Sequence, residues 1–466
     1  MTTDASLEAR SVGVEAQYKD NRAGAVRFLP QRVLMIAQAE TGAVFSSEKF
    51  TVTSANQVGQ TAGYKSLAYH MAKQLLPRNG DGVGSVPVEL VLLGDHEDGV
   101  AAAGDVTPSG TATEAGQYRW NVNEILSDWF VVPAGAVDVT AVLVAAYDAF
   151  VATLGMPGNL SFTYGTVTSS WTRADGTPSD GTIGSFTTTG NPRPGVWTLE
   201  CTAEAANAGT FRLTDPDGTV ISTSVTVGAQ TQGGLGFTLS DGSEDFNVGD
   251  IVEITVPVTK LDFEVAWKGL TGNDLDIQFD GPSVGVTWAI TQPTGGLVNP
   301  TVDAALAQVG NVWTTMVLSG LNIGDTTALD TFKTWGDGRW DPTVKKPALV
   351  FTGAAVTTVA EAIAIPNARK TDKINVQLVA PGSRNLPQVI AARQLARIAR
   401  VANNNPPVDY CLQKADGLVP GDDGDQWDLT SRDQAVKGGS STVEVIDGEV
   451  RLSNIVTFYH PTGEDP

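Results

Sequence analysis

The chain has 3 histidines, His70, His96 and His460. His70 stands inside a helical pattern of Leu67, Met71 and Leu75, which suits a core or boundary residue. His96 falls in GDHEDG, a polar loop after an apolar strand, a place where α/β enzymes put catalytic groups. A serine hydrolase would also need its nucleophile in a sharp turn, and no G-x-S-x-G occurs. GDDGDQWD gathers Asp422, Asp423, Asp425 and Asp428, whose oxygens could hold Ca²⁺. The spacing departs from the D-x-D-x-D-G loop with its distant Glu, so a solvated acidic loop is the simpler reading. DPDG at 215–218 is a β-turn, and GDGVG at 80–84 lacks the lysine and helix of a phosphate loop. Cys201 and Cys411 offer neither a disulfide framework nor zinc spacing, and both are expected to be reduced core residues. Catalytic, metal and cofactor sites are therefore assigned to none of these residues.

Charge is more informative. Asp and Glu number 52 against 30 Lys and Arg, a formal net charge of -22. Such a surface repels nucleic acid and anionic lipid, and keeps free subunits apart at low salt. Against it, Arg393, Arg397 and Arg400 share one face of the helical run PQVIAARQLARIARVA, with Arg384 just ahead. That patch could meet an acidic neighbour; plain solvation with compensation of the helix dipole is the alternative. No apolar run approaches the roughly 18 residues that span a bilayer, and the N-terminus has no apolar signal core.

The elements that would position these groups fall into blocks. At roughly 150 residues per domain, 466 residues suggest about three folding units. Residues 1–24 are polar, with Val12 and Val14 alternating weakly and Tyr18 beyond; they suit an extended arm lent to a neighbour's sheet edge, or a frayed terminus. RVLMIAQ is a buried strand, residues 65–77 an amphipathic helix, and SVPVELVLLG a second buried strand. This βαβ opening indicates an α/β layer. GDVTPSGTATEAG from 104 is expected to be turn-rich, followed by a helix through 140–154. Short alternating runs about ten residues apart fill 166–258 and indicate an all-β sandwich. Mixed structure then resumes, with strands at LDFEVAWKG, KPALVFTG and DKINVQLVA, and the clearest helix at 387–402. Asp447-Gly448 in STVEVIDGEVRLSNIVTFY marks a hairpin that carries Val450 and Leu452, with Ile455 beyond. The expected fold class is a multidomain α+β and α/β chain. It has an arm at 1–24, a discontinuous mixed-sheet core at 25–103 and 283–460, and an inserted α/β domain at 104–165 and 259–282. An all-β sandwich at 166–258 is nested in that insert, and 461–466 end the chain.

Several stretches resemble the tail sheath family of contractile phages, in its Mu-like branch. SVGVEAQYKDNRAG with QRVLMIAQ is similar to the family's arm and first core strand. KGLTGNDLDI resembles a recurring turn, LVNPTVDAALAQVGNVWTTMVLS the middle of the core, and VEVIDGEVRLSNIVTFY its closing hairpin. The resemblance implies a structural protein and not an enzyme. It implies hexameric rings stacked helically around a tail tube inside a virion, joined by exchanged arms and assembled in host cytoplasm. Partners would be other copies of the chain, the tube, the baseplate and the tail terminator, with no nucleic acid and no membrane. Subunit or tube contact would fall to Val12, Val14, Tyr18, Arg384, Arg393, Arg397, Arg400, Val450, Leu452 and Ile455. The family continues past this hairpin into a tube-facing domain, so either that part is a separate chain or, as is favoured, this chain is truncated, in which case a monomer is expected. A particle-surface adhesin binding receptors or glycans through the sandwich is the alternative. That role would expose aromatics such as Trp171, Trp197 and Phe237, whereas a decoration would bury them.

Overall fold

The computed structural model describes residues 31–173, 181–404 and 408–460. Its centre is a six-stranded sheet ordered Phe50–Val52, Val88–Leu93, Val33–Gln38, Met316–Ser319, Leu349–Ala354 and Asn375–Val379. All neighbours are parallel except the short Phe50–Val52 edge. Parallel strands need cover on both faces, which is why their sequences are continuous apolar runs and not alternating ones. Val33, Met35 and Ala37 face one core, while Leu34 and Ile36 face the other. The first core is closed by helices Ala55–Ala62, Leu67–Leu75 and Pro387–Ala402. The second is closed by Asp303–Ala307 and Thr326–Trp340. The strand order reverses between Val33–Gln38 and Met316–Ser319, which makes a topological switch point at their carboxyl ends.

The chain leaves this layer after Leu93 and returns before Asp303. Between them lies a sheet ordered Val286–Thr294, Ala101–Ala112, Val258–Lys268 and Gly158–Tyr164. A smaller sheet, Ile277–Asp280 with Gly116–Val122, Ile125–Leu126 and Phe130–Val132, packs nearby, and helix Val139–Ala152 covers both. Trp120, Phe150, Phe279 and Trp288 knit the layers together. The turn-rich reading of GDVTPSGTA is corrected: it lies in the twelve-residue strand Ala101–Ala112. Ala102, Val106, Pro108 and Ala112 point inward, a spacing too sparse to register as a strand. Pro108 is tolerated because it lies past Val106, the last residue paired to Val258–Lys268, where that side of the ladder is open.

Within this insert, the described strands between positions 168 and 256 form two further sheets, of five and three strands. They enclose a separate core of Trp197, Leu199, Phe211, Phe237, Leu239 and Ile254. Trp197 and Phe237 are buried, and Trp171 stacks on Phe246 with centroids 5.4 Å apart. No helix among the described residues is long and apolar enough to cross a membrane.

Candidate functional site

The arginine face of Pro387–Ala402 runs from the buried Arg393 to the half-exposed Arg400 and is paired within the chain. Proline at the first helical position starts the helix, and burial of nearly its whole circumference holds it. Arg393, 5% exposed, donates to the carbonyls of Gln74 and Asp81 and lies 3.6 Å from Asp416. Arg397 pairs with Asp81 at 3.0 Å and donates to Gln413, and Arg400 takes the other Asp81 oxygen. These guanidinium groups hold the Asp81 carboxyl below its usual range, the Arg400 hydrogen bond being the largest cause. The free positive patch expected from sequence is thereby corrected: Asp81 and Asp416 take up these arginines within the chain. Arg384 is exposed, and its carbonyl accepts from Asn123.

Val450, Leu452 and Ile455 are likewise buried in the main core, so they anchor the hairpin and do not present it. Val12, Val14 and Tyr18 lie outside the described residues. The hairpin itself pairs Val443–Ile446 with Glu449–Leu452 across Asp447 and Gly448, both at positive φ, the type I′ geometry that matches strand twist. The outer edge of Glu449–Leu452 is filled by the Leu412–Ala415 segment: Leu412 N–H donates to Leu452, Leu452 to Gln413, and Ala415 to Val450. The other edge is open. In a two-residue hairpin Ile446 and Glu449 exchange the closing bonds, so the N–H and C=O of Val445 and Val443 point away. Neither backbone has a partner among the described residues. A small cleft lined by Pro381, Pro420, Gly421, Trp427, Val443 and Val445 runs beside them.

A second feature lies where the insert meets the core. The Leu270–Asp274 turn sits over the switch point and is held by side-chain amides from separate elements. Gln38 donates to the Lys268 carbonyl and accepts from Thr271; Asn299 accepts from Leu270 N–H. Asn322 donates to both oxygens of Asp274, at 2.6 and 2.7 Å, and Gln388 donates to one at 3.1 Å. Asn123 bridges the carbonyls of Asp274 and Arg384. Burial raises the Asp274 carboxyl to about 6, although Gln388 and Asn322 pull the other way. The crevice that binds ligands in many doubly wound proteins is thus filled by the chain's own turn.

The chemistry-bearing residues scatter. His96 lines an open groove with Phe45, Val91, Leu93, Pro300 and Ala304, yet its Nδ1 accepts from Asp98 N–H. Neighbouring Asp95 is taken up by Thr41 and Lys268 N–H. His70 is buried, and His460 contacts Asn367 and the Phe458 carbonyl. Asp428 caps helix Leu429–Lys437, which sequence reading missed, by accepting from Ser431 N–H. Cys201 is buried as expected, whereas Cys411 is exposed and not a core residue. No cluster of three or more potential metal-ligating side chains occurs among the described residues.

No family model matches the chain. A curated relative, the tail sheath protein of the Mu-like prophage FluMu of Haemophilus influenzae, is 26% identical over 274 residues, 56% of this chain and 53% of that protein. The chain is similar to a Mu-like phage tail sheath protein. It spans about half the length of that curated relative. Sheath tail proteins of Desulfitobacterium hafniense and Listeria innocua superpose on 97% and 94% of this chain and cover 77% and 71% of their own, at 12% and 11% identity. Both have a TM-score of 0.35.

Proposed function

We propose that the chain is a structural subunit of a contractile tail sheath, polymerising as stacked hexameric rings around a tail tube and contracting to drive that tube through a host envelope. The relation to a Mu-like tail sheath protein supports this reading. Among the structural features, the open hairpin edge at Val443 and Val445 supports it most. An unpaired edge beside a cleft is a template for an added strand. The donor in this reading is the arm of a neighbouring copy, carrying Val12, Val14 and Tyr18. Other partners would be the tube, baseplate and tail terminator, and contraction would exchange two packings of the same subunits without a catalytic step. Burial of Trp197 and Phe237 supports the sandwich as a decoration and speaks against an aromatic glycan-binding face.

Val445→Pro tests the edge. Proline removes the outward N–H while leaving the bonds within the hairpin intact. In the complete gene product, V445P is expected to keep the wild-type circular dichroism and to form no tubes by electron microscopy, whereas Val445→Thr, which retains the N–H, assembles. Tubes from V445P at wild-type yield would remove the edge from the assembly mechanism.

A further inference from the structure

We infer that the Leu270–Asp274 turn is a proton-dependent clasp, which keeps the insert docked on the core while Asp274 is neutral and loosens when Asp274 ionises. The inference stands apart from the sheath reading and would hold for any function.

The geometry carries it. Asp274 belongs to the insert's return path, whereas its partners belong to the core: Asn322 follows strand Met316–Ser319, and Gln388 lies in the first turn of Pro387–Ala402. All the donors it meets are neutral amides. None of the charged groups of the elements packed around it, Lys268 just ahead of the turn included, forms an ion pair with it among the described residues. Asp276, on its own segment, accepts from Gln278. Asp325, from the Asn322 loop, caps helix Thr326–Trp340 and accepts from Asn299. Arg384, ahead of the Gln388 helix, is exposed, and Arg393 is turned to Asp81 and Asp416. Among the described residues no cation therefore compensates a carboxylate here. Gln388 Oε1 is also buried, without a partner among the described residues. A negative charge in such a site is stabilised more by water than by its surroundings, so ionisation favours the opened, hydrated junction.

The direction of the effect follows from burial raising Asp274 from 3.8 to about 6. Full docking stability is present below the unfolded value and is lost as pH rises towards the folded one. Above it, the dissociated carboxylate of the opened turn adds no further term. Between the two values each pH unit multiplies the opening constant about tenfold, for a total change on the order of 100-fold.

Hydrogen exchange by mass spectrometry, corrected for the intrinsic pH dependence, reads this opening in peptides covering 268–276 and 384–392. From pH 4 to pH 6.5 in the wild type, protection is expected to fall by 30-fold or more in these peptides. Peptides of the 168–256 sandwich serve as the internal reference. Asp274→Asn, which cannot ionise, is expected to flatten that profile. Asn322→Ala, which retains the acid and removes a donor, is expected to deepen the loss of protection above pH 5. It keeps the test decisive if D274N fails to fold. A wild-type profile that is flat across this range, or one equally steep in D274N, would overturn the inference.

Discussion

Replacing Gly353 by alanine is expected to cost more than about 4 kcal/mol and to leave little folded protein. Gly353 lies in Leu349–Ala354, where helix Pro387–Ala402 crosses the sheet. A Cβ there would collide with the Pro387 backbone carbonyl. Backbone cannot rotate away as a flexible side chain can, so the helix would have to lift from the sheet. Lifting it would open the packing of Ile390, Ala391, Leu395 and Ala399, all buried without residual exposure. Overpacking in a well-filled core typically costs about 1–3 kcal/mol, and displacing a central helix adds loss of the apolar contacts beneath it. Urea unfolding followed by tryptophan fluorescence checks this; Gly338→Ala, where a Cβ meets open space, is the matched control. A G353A protein within about 1 kcal/mol of wild type would show that the helix does not sit where it is described.

The second large effect is acid sensitivity from His70. On helix Leu67–Leu75 its ring is buried, its Nε2 has no hydrogen-bond partner among the described residues, and burial followed by nearby Lys73 lowers its pKa from 6.5 to about 3. A base with a depressed folded pKa contributes stability that is present above the unfolded value and is lost as pH falls between 6.5 and about 3. At pH 4.5 the loss amounts to about 3 kcal/mol, taking about 1.4 kcal/mol per unit. His70→Leu removes this term. The difference in unfolding free energy between H70L and wild type is expected to shift by about 3 kcal/mol in favour of H70L between pH 7 and pH 4.5. A difference that does not change with pH would mean that the ring reaches water or a partner when charged. Asp274 acts with the opposite sign over part of this range, and it cancels in the comparison because both proteins retain it.

What could be read from the sequence follows from how local each signal is. Val33–Gln38, Val88–Leu93 and the Pro387–Ala402 helix announce themselves through apolar runs and period, and Asp447-Gly448 specifies its own turn. The strand at 101–112 did not, because its inward residues Ala102, Val106, Pro108 and Ala112 are unevenly spaced and include a proline. The arginine face looked free because its counter-charge, Asp81, lies 316 residues from Arg397 in sequence. The Asp274 clasp was least legible. Gln38, Asn123, Asn299, Asn322 and Gln388 are spread along the whole chain and share no spacing, and only folding gathers them. The KGLTGNDLDI turn could be noticed as a family resemblance, but its task of plugging the switch point required the sheet order.

The proposal that this chain builds a sheath predicts a visible product. Negative-stain electron microscopy of the complete gene product, alone and with tube protein, tests it most directly. Hollow tubes or stacked hexameric rings are the predicted result. Discrete compact particles under both conditions would contradict the claim and favour a particle-surface binding protein.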